Sequence, residues 1–185
     1  MWGGWVAAIA LLVWLVWLFN SCVRQRNKAR EAFSGVDVQL KRRHDLVPNL
    51  VKTVGAYARH EKQTLEDAIR ARGAASDASS LGDKERSENG LQGSLDRLVM
   101  LVERYPELKA DKNFRRLHED LVEVEDHLQY ARRYYNGSVR DFNTRIEQVP
   151  ANFLAPLFGF RALEFFNLED RDERRAPPVQ WEEKT

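Results

Sequence analysis

Three features of this chain predict an all-α protein, in which an N-terminal transmembrane helix is followed by an antiparallel bundle of three or four long helices. Every charged side chain lies beyond residue 23, and residues 5–19 form an unbroken apolar run. Elsewhere apolar residues recur three and four apart, the period of one buried helical stripe. No segment shows the two-residue alternation of a half-buried strand. The 185 residues suit one ordinary domain and little more. A net charge of +1 argues against a dedicated nucleic-acid binder. The single cysteine excludes a disulfide framework and a thiolate zinc site.

The first element is the leader, WVAAIALLVWLVWLF within a charge-free stretch that ends at Val23. At 1.5 Å per residue, about 20 helical residues cross a hydrocarbon core of ~30 Å, so residues 2–23 are long enough. Trp2 and Trp5 at one end, and Trp17 at the other, suit the interfacial preference of large aromatics. A cleaved signal peptide needs a basic region before the run and a small-x-small site after it, and Phe19-Asn20-Ser21 is a poor site. Phe19 and Asn20 also fit a lipoprotein reading of Cys22 badly. The segment 1–23 is therefore expected to be an uncleaved anchor. Arg24, Arg26, Lys28 and Arg30 follow it at once, and the positive-inside rule places them in the cytoplasm. The expected location is the cytoplasmic (inner) membrane of a bacterium, single-pass, with the N-terminus outside and the body inside.

Residues 24–150 read as the bundle. Between residues 29 and 72 the stripe runs Phe33, Val36, Leu40, Val47, Leu50, Val51, Val54, Ala58, Leu65, Ala68, Ile69. Pro48 falls inside it and predicts a kink or a restart, with His44-Asp45 ending one helix and capping the next. Residues 73–94 carry four glycines and five serines with few large apolar residues, which predicts a mobile connection. The stripe returns at residues 91–105 and Pro106 stops it. The clearest helix spans residues 113–148, where Phe114 to Ile146 step by threes and fours. Asp111 or Asn113 can cap its start and Pro150 closes its end.

The tail changes character twice. Residues 151–168 hold five of the nine phenylalanines and predict a short helix laid across the bundle. The alternative places those aromatics on the membrane surface. Residues 169–185 are a charge run followed by Ala-Pro-Pro-Val-Gln-Trp, expected to be disordered. There Pro177, Pro178 and Trp181 form a candidate docking peptide, because X-Pro-Pro favours polyproline geometry.

Motifs for chemistry are missing. A di-iron bundle needs Glu-x-x-His pairs, but the residues three before His44, His60, His118 and His127 are Lys41, Tyr57, Arg115 and Val124. The pairs His60-Glu61 and His118-Glu119 are followed by Thr64 and Val122 where a zinc-protease motif needs histidine. Neither phosphate-binding glycine motif nor a G-x-S-x-G elbow occurs. No catalytic residue, metal, cofactor or small-molecule substrate is assigned. The cluster Lys41-Arg42-Arg43-His44 covers about 200° of a helix rather than one flat patch, and reads as a solvated face with scattered ion pairs, with binding of a lipid headgroup or acidic partner as the alternative. Tyr130, Tyr134 and Tyr135 read as seam and boundary aromatics.

The chain resembles the LemA family. The resemblance rests on REAFSGVDVQLKRRHDLVPNLV at residues 30–51, and continues through YARHE at 57–61 and Ala71-Arg72. It includes ERYPELKA at 103–110, Asn113-Phe114, ARRYYN at 131–136, Phe142-Asn143-Thr144, Phe158-Gly159-Phe160 and the terminal Pro-Val-Gln-Trp. It implies a single-span membrane protein with a cytoplasmic antiparallel helical bundle, and it brings no catalytic residues. The expected function is a non-catalytic scaffold or adaptor for protein–protein contact at the membrane, with self-association as one form of it. The alternative is a peripheral lipid-sensing or membrane-remodelling protein. The expected partners are the lipid bilayer and an unidentified protein or a second copy, not nucleic acid.

Overall fold

The structure, a computed structural model, describes residues 2–167. Six helices follow in order: α1 (Trp2–Tyr57), α2 (Lys62–Asp77), α3 (Leu81–Val102), α4 (Pro106–Ala110), α5 (Lys112–Glu147) and α6 (Ala151–Leu154). Four of them, α1, α2, α3 and α5, run up and down as a bundle, and α1 projects beyond it as an apolar arm. The all-α antiparallel architecture is as expected, and of the two helix counts left open the structure has four. Pro177, Pro178, Trp181 and the charge run lie outside the described residues.

Of the kink or restart expected at Pro48, the restart is absent, because α1 is one helix of 56 residues, and α1 gives way to α2 at residues 58–61 instead. Proline at 48 removes the amide that would have bonded the carbonyl of His44. That carbonyl accepts instead from Arg72 Nε at 3.4 Å, so α2 answers the group the proline orphans. On either side of Pro48, Val47, Leu50 and Val54 are buried. Tertiary packing of that stripe outweighs the local penalty.

The connection expected over residues 73–94 is also corrected. Only residues 78–80 join α2 to α3. Ser80 caps α3, its hydroxyl accepting from the Asp83 amide at 3.1 Å and donating to the Asp83 carboxylate at 2.6 Å. Ser-x-x-Asp before a helix is a recognisable start signal. Each glycine in a helix costs about 1 kcal/mol relative to alanine. Burial of Leu91, Leu95, Leu98 and Leu101 offsets this, at ~1.5–3 kcal/mol per side chain.

Helix α3 ends at Val102, and Pro106 opens α4 at a position where its missing amide is harmless. Asp111 caps α5 by accepting from the amides of Asn113 and Phe114 at 2.8 and 2.9 Å. The Tyr57 hydroxyl also donates to Asp111 at 2.9 Å, which ties the end of α1 to the start of α5. The Phe114 amide and this hydroxyl hold the Asp111 carboxyl below its ordinary range.

Three clusters stack along the bundle. At the far end Val47, Val54, Ala68, Leu91, Leu98, Leu108 and Phe114 bring all five of the first helices into one core. The middle packs Ala29, Ala32, Val36 and Leu40 of α1 against Leu128, Tyr135 and Val139 of α5, with Phe166. Nearest the arm, Leu18 and Cys22 meet Phe142 and Ile146, with Ala151, Ala155 and Phe160. The order of these pairs makes α1 and α5 antiparallel along the whole bundle.

Candidate functional site

Four places carry polar or exposed groups that the packing leaves for function. The first is the arm. Trp2, Trp5 and Trp17 are exposed on it, as are Ile9, Leu11, Leu12 and Val16. Among the described residues α1 alone is long and apolar enough to cross a membrane, judged by length and composition. Where the arm enters the bundle, the Arg145 guanidinium of α5 lies 5.5 Å from the Trp17 ring. Arg24, Lys28 and Arg30 are exposed and Arg26 is half-buried on the next turns. Lys28 Nζ sits 6.0 Å from the Tyr134 ring of α5, so one cation of this collar also braces the helix pair. Tyr134 and Tyr130 are exposed, whereas Tyr135 is buried in the seam.

The second place overturns the reading of residues 41–44 as a solvated face. Lys41 and Arg42 are exposed, but Arg43 is 1% exposed and His44 is buried beside it. Arg43 stands three residues after Leu40 and four before Val47, so helical phase puts it on the buried stripe. Glu88 of α3, also 1% exposed, faces both residues. Its carboxylate lies 2.6 Å from His44 Nε2 and 3.6 Å from Arg43 Nη1. Arg43 Nη1 is 3.6 Å from Glu125 of α5, and Nη2 donates to Gln92. One arginine thereby links three helices. Such a pair is weak as net stabilisation, because desolvation offsets the attraction, but removing one partner strands a buried charge.

The third place is the segment after α6, where the expected short crosswise helix is only four residues long. Residues 160–167 run extended along α5 instead. Asn143 accepts from the Leu163 amide at 2.8 Å and donates to the Leu163 carbonyl at 2.9 Å. Asn136 does the same to Phe166, both bonds at 2.9 Å. Seven helical residues rise about 10.5 Å and three extended residues about 10 Å, so the two amides meet the strap in register. The Tyr135 hydroxyl donates to the Glu164 carbonyl at 2.8 Å, and burial raises this phenol above its ordinary pKa. At the last described residue, Glu85 of α3 accepts from the Asn167 amide at 2.6 Å. Phe160 and Phe166 are buried under it. Packing on the bundle therefore describes these two phenylalanines, while Phe153, Phe158 and Phe165 are exposed.

The fourth place is a groove of about 310 Å³ between α3 and α5. Leu95 and Leu121 form its floor, Gln92, Asp96 and Glu125 line its rim, and Met100 and Val122 stand exposed beside it. Among the described residues no three of His, Cys, Asp and Glu gather as a metal site would require.

The sequence reading missed Asn136, Asn143, Glu88 and the groove. For Glu88 a signal existed, since it stands three residues before Leu91 on the stripe of α3. The asparagines are marked only by their heptad spacing on a helix otherwise rich in charge.

The chain is 25% identical over 187 residues to magnetosome protein MamQ 2 of Paramagnetospirillum magneticum, covering 87% of this chain and 69% of that protein. To magnetosome protein MamQ of Magnetospirillum gryphiswaldense it is 24% identical over 188 residues, covering 88% and 69%. To protein LemA of Metamycoplasma hominis it is 25% identical over 140 residues, covering 74% and 63%. A sequence profile described as the LemA family matches residues 32–181, which take in the buried Arg43 cluster, the groove and both strap asparagines. Four-fifths of its length match in this way, and the chain belongs to the LemA family.

Proposed function

We propose that this protein is held in the bacterial cytoplasmic membrane by residues 2–23, with its N-terminus outside and its bundle in the cytoplasm, and that it acts there as a non-catalytic scaffold or adaptor for protein–protein contact. The observation that carries this reading is α1. One unbroken helix joins the exposed apolar arm to the bundle core, so the body is presented at a fixed angle to whatever surrounds the arm. Hydrocarbon covers a belt of side chains such as Ile9, Leu12 and Val16 at no desolvation cost, whereas water does not. The cations Arg24, Arg26, Lys28 and Arg30 favour the cytoplasmic side for the body. The groove between α3 and α5 has an apolar floor and a polar rim, the chemistry that receives an amphipathic helix.

Crosslinking mass spectrometry on intact membranes, read with protease digestion from each side, tests both halves. The expected result is crosslinks from residues flanking the groove to another protein or to a second copy, with digestion of the body from the cytoplasmic side only. A body cut from the outside overturns the topology. A body that crosslinks to nothing overturns the scaffold and leaves the peripheral lipid-sensing or membrane-remodelling reading.

A further inference from the structure

We propose that residues 149–159, between α5 and the strap, form a second membrane contact that lies at the boundary of the hydrocarbon beside the bundle end of the arm. The proposal rests on residues 2–23 being a membrane span and adds a contact that this reading does not require.

The depth of the span leads to it. Leu18 is the first buried residue of α1, so at most residues 2–17 stand clear of the bundle. Sixteen helical residues rise about 24 Å, short of a hydrocarbon core of ~30 Å. The charge-free stretch 2–23 rises about 33 Å and is sufficient. Using it brings the level of Leu18 and Cys22 to the edge of the hydrocarbon. Ala151, Ala155 and Phe160 pack at that level, against Leu18 and Cys22 themselves. Phe158 and Phe160 also meet the ring of Phe19 at 5.0 and 5.6 Å. Whatever depth Phe19 has, residues 149–159 share it.

Their composition fits that depth. From Gln148 to Phe160 the chain carries no charge, between Glu147 and Arg161. The side chains it turns outward are Val149, Phe153, Leu157 and Phe158, with Phe153 70% and Leu157 78% exposed. Four large apolar groups together on an uncharged turn form a patch that water does not favour. The Arg145 guanidinium over Trp17 at 5.5 Å is placed as a basic side chain reaching for the headgroups would be.

The backbone fits as well. A segment near hydrocarbon has to answer its own amides. Those of Asn152, Phe153, Ala155 and Phe158 bond to Gln148, Pro150, Ala151 and Leu154 carbonyls at 2.7–3.3 Å. Pro150 and Pro156 have no amide to answer. Gly159, at φ +70°, closes the turn: its amide bonds to Pro156 and that of Phe160 to Ala155. This is the glycine-terminated helix cap that also satisfies trailing carbonyls.

The test uses the full chain with Cys22→Ala, carrying one nitroxide at a time at Phe153→Cys or Leu157→Cys, in vesicles of phosphatidylethanolamine and phosphatidylglycerol. Leu12→Cys is the control for the span and Met100→Cys the control for the body. Collision rates with oxygen and with a neutral nickel chelate report depth. The expected result is that oxygen is favoured at 153 and 157 as it is at 12, with nickel access several-fold lower than at 100. Nickel access at 153 and 157 equal to that at 100, with 12 still shielded, overturns the second contact and leaves the span intact. Nickel access at 12 as well overturns the span and the second contact with it. Circular dichroism of each labelled chain confirms that the exposed positions tolerate the label.

Discussion

The two ends of the bundle solve the same packing problem with different parts. At the far end the α2–α3 hairpin lies against α1 and α5, and one core holds leucines, valines and alanines from every long helix. Toward the arm the hairpin has ended and α1 and α5 face each other alone. There the chain after α6 supplies the missing layer, with Phe160 and Phe166 entering where a helix would have placed its stripe. The two layers meet at Glu85 and Asn167. Polarity is handled differently too: the far half buries a charged cluster around Arg43, and the near half pairs part-buried neutral amides. A helix hydrogen-bonds its own backbone and needs only an apolar face. An extended strap brings free amides and carbonyls, and two asparagines must answer them.

Breaking the charged cluster gives the largest expected effect. Glu88→Ala leaves the buried Arg43 with only Gln92 and the partly exposed Glu125 and should lower stability by about 3–5 kcal/mol. Urea unfolding of the full chain in detergent measures it. The paired change Arg43→Met with Glu88→Leu should recover most of that loss, and a single-site loss under about 1 kcal/mol would show that water reaches the cluster. Next come the strap amides. Asn136→Ala or Asn143→Ala leaves a part-buried amide and carbonyl unanswered, at about 1–2 kcal/mol each. Hydrogen exchange should quicken at Phe166 or Leu163, with the amides of Leu91 and Leu98 unchanged. Equal quickening in both halves would mean that the strap is not an independent layer.

A smaller effect is expected at Arg72, whose guanidinium answers the carbonyl freed by Pro48. Arg72→Met should cost about 0.5–1.5 kcal/mol, and Pro48→Ala in the same chain should remove that penalty. If the two changes simply add, the contact at 3.4 Å carries nothing. The smallest concerns Asp111. Its carboxyl is held low in the folded chain, so its contribution is complete above the unfolded value near 4 and is lost as pH falls through the depressed one. Asp111→Ala should lower Tm by a few degrees at neutral pH and flatten the acid limb of Tm against pH. An unchanged acid limb would assign that loss of stability to other carboxylates.

How far the sequence could be read follows the same division. Helix α5 and the far part of α1 were legible because apolar spacing marks them and packing merely agrees with it. A restart at Pro48 and a loop at the glycines of α3 do not occur because their local penalties are about 1 to 3 kcal/mol, smaller than the burial that opposes them. The Arg43 cluster was misread because charge ordinarily means solvent, and only the gap between Leu40 and Val47 reveals a buried position. The strap was not legible at all. An extended segment held by side chains on another element has no period of its own, and its partners lie 20 and 30 residues away.

The unbroken course of α1 makes the protein a phase-locked device. A helix turns by about 100° and advances 1.5 Å with each residue, and nothing between the arm and the bundle allows that rotation to be absorbed. Adding one residue between Trp14 and Leu18 would turn the groove between α3 and α5 relative to the faces of the arm by roughly a quarter turn, and adding seven would nearly restore it. Which face of the arm lies in line with the groove is therefore written in the number of residues between them.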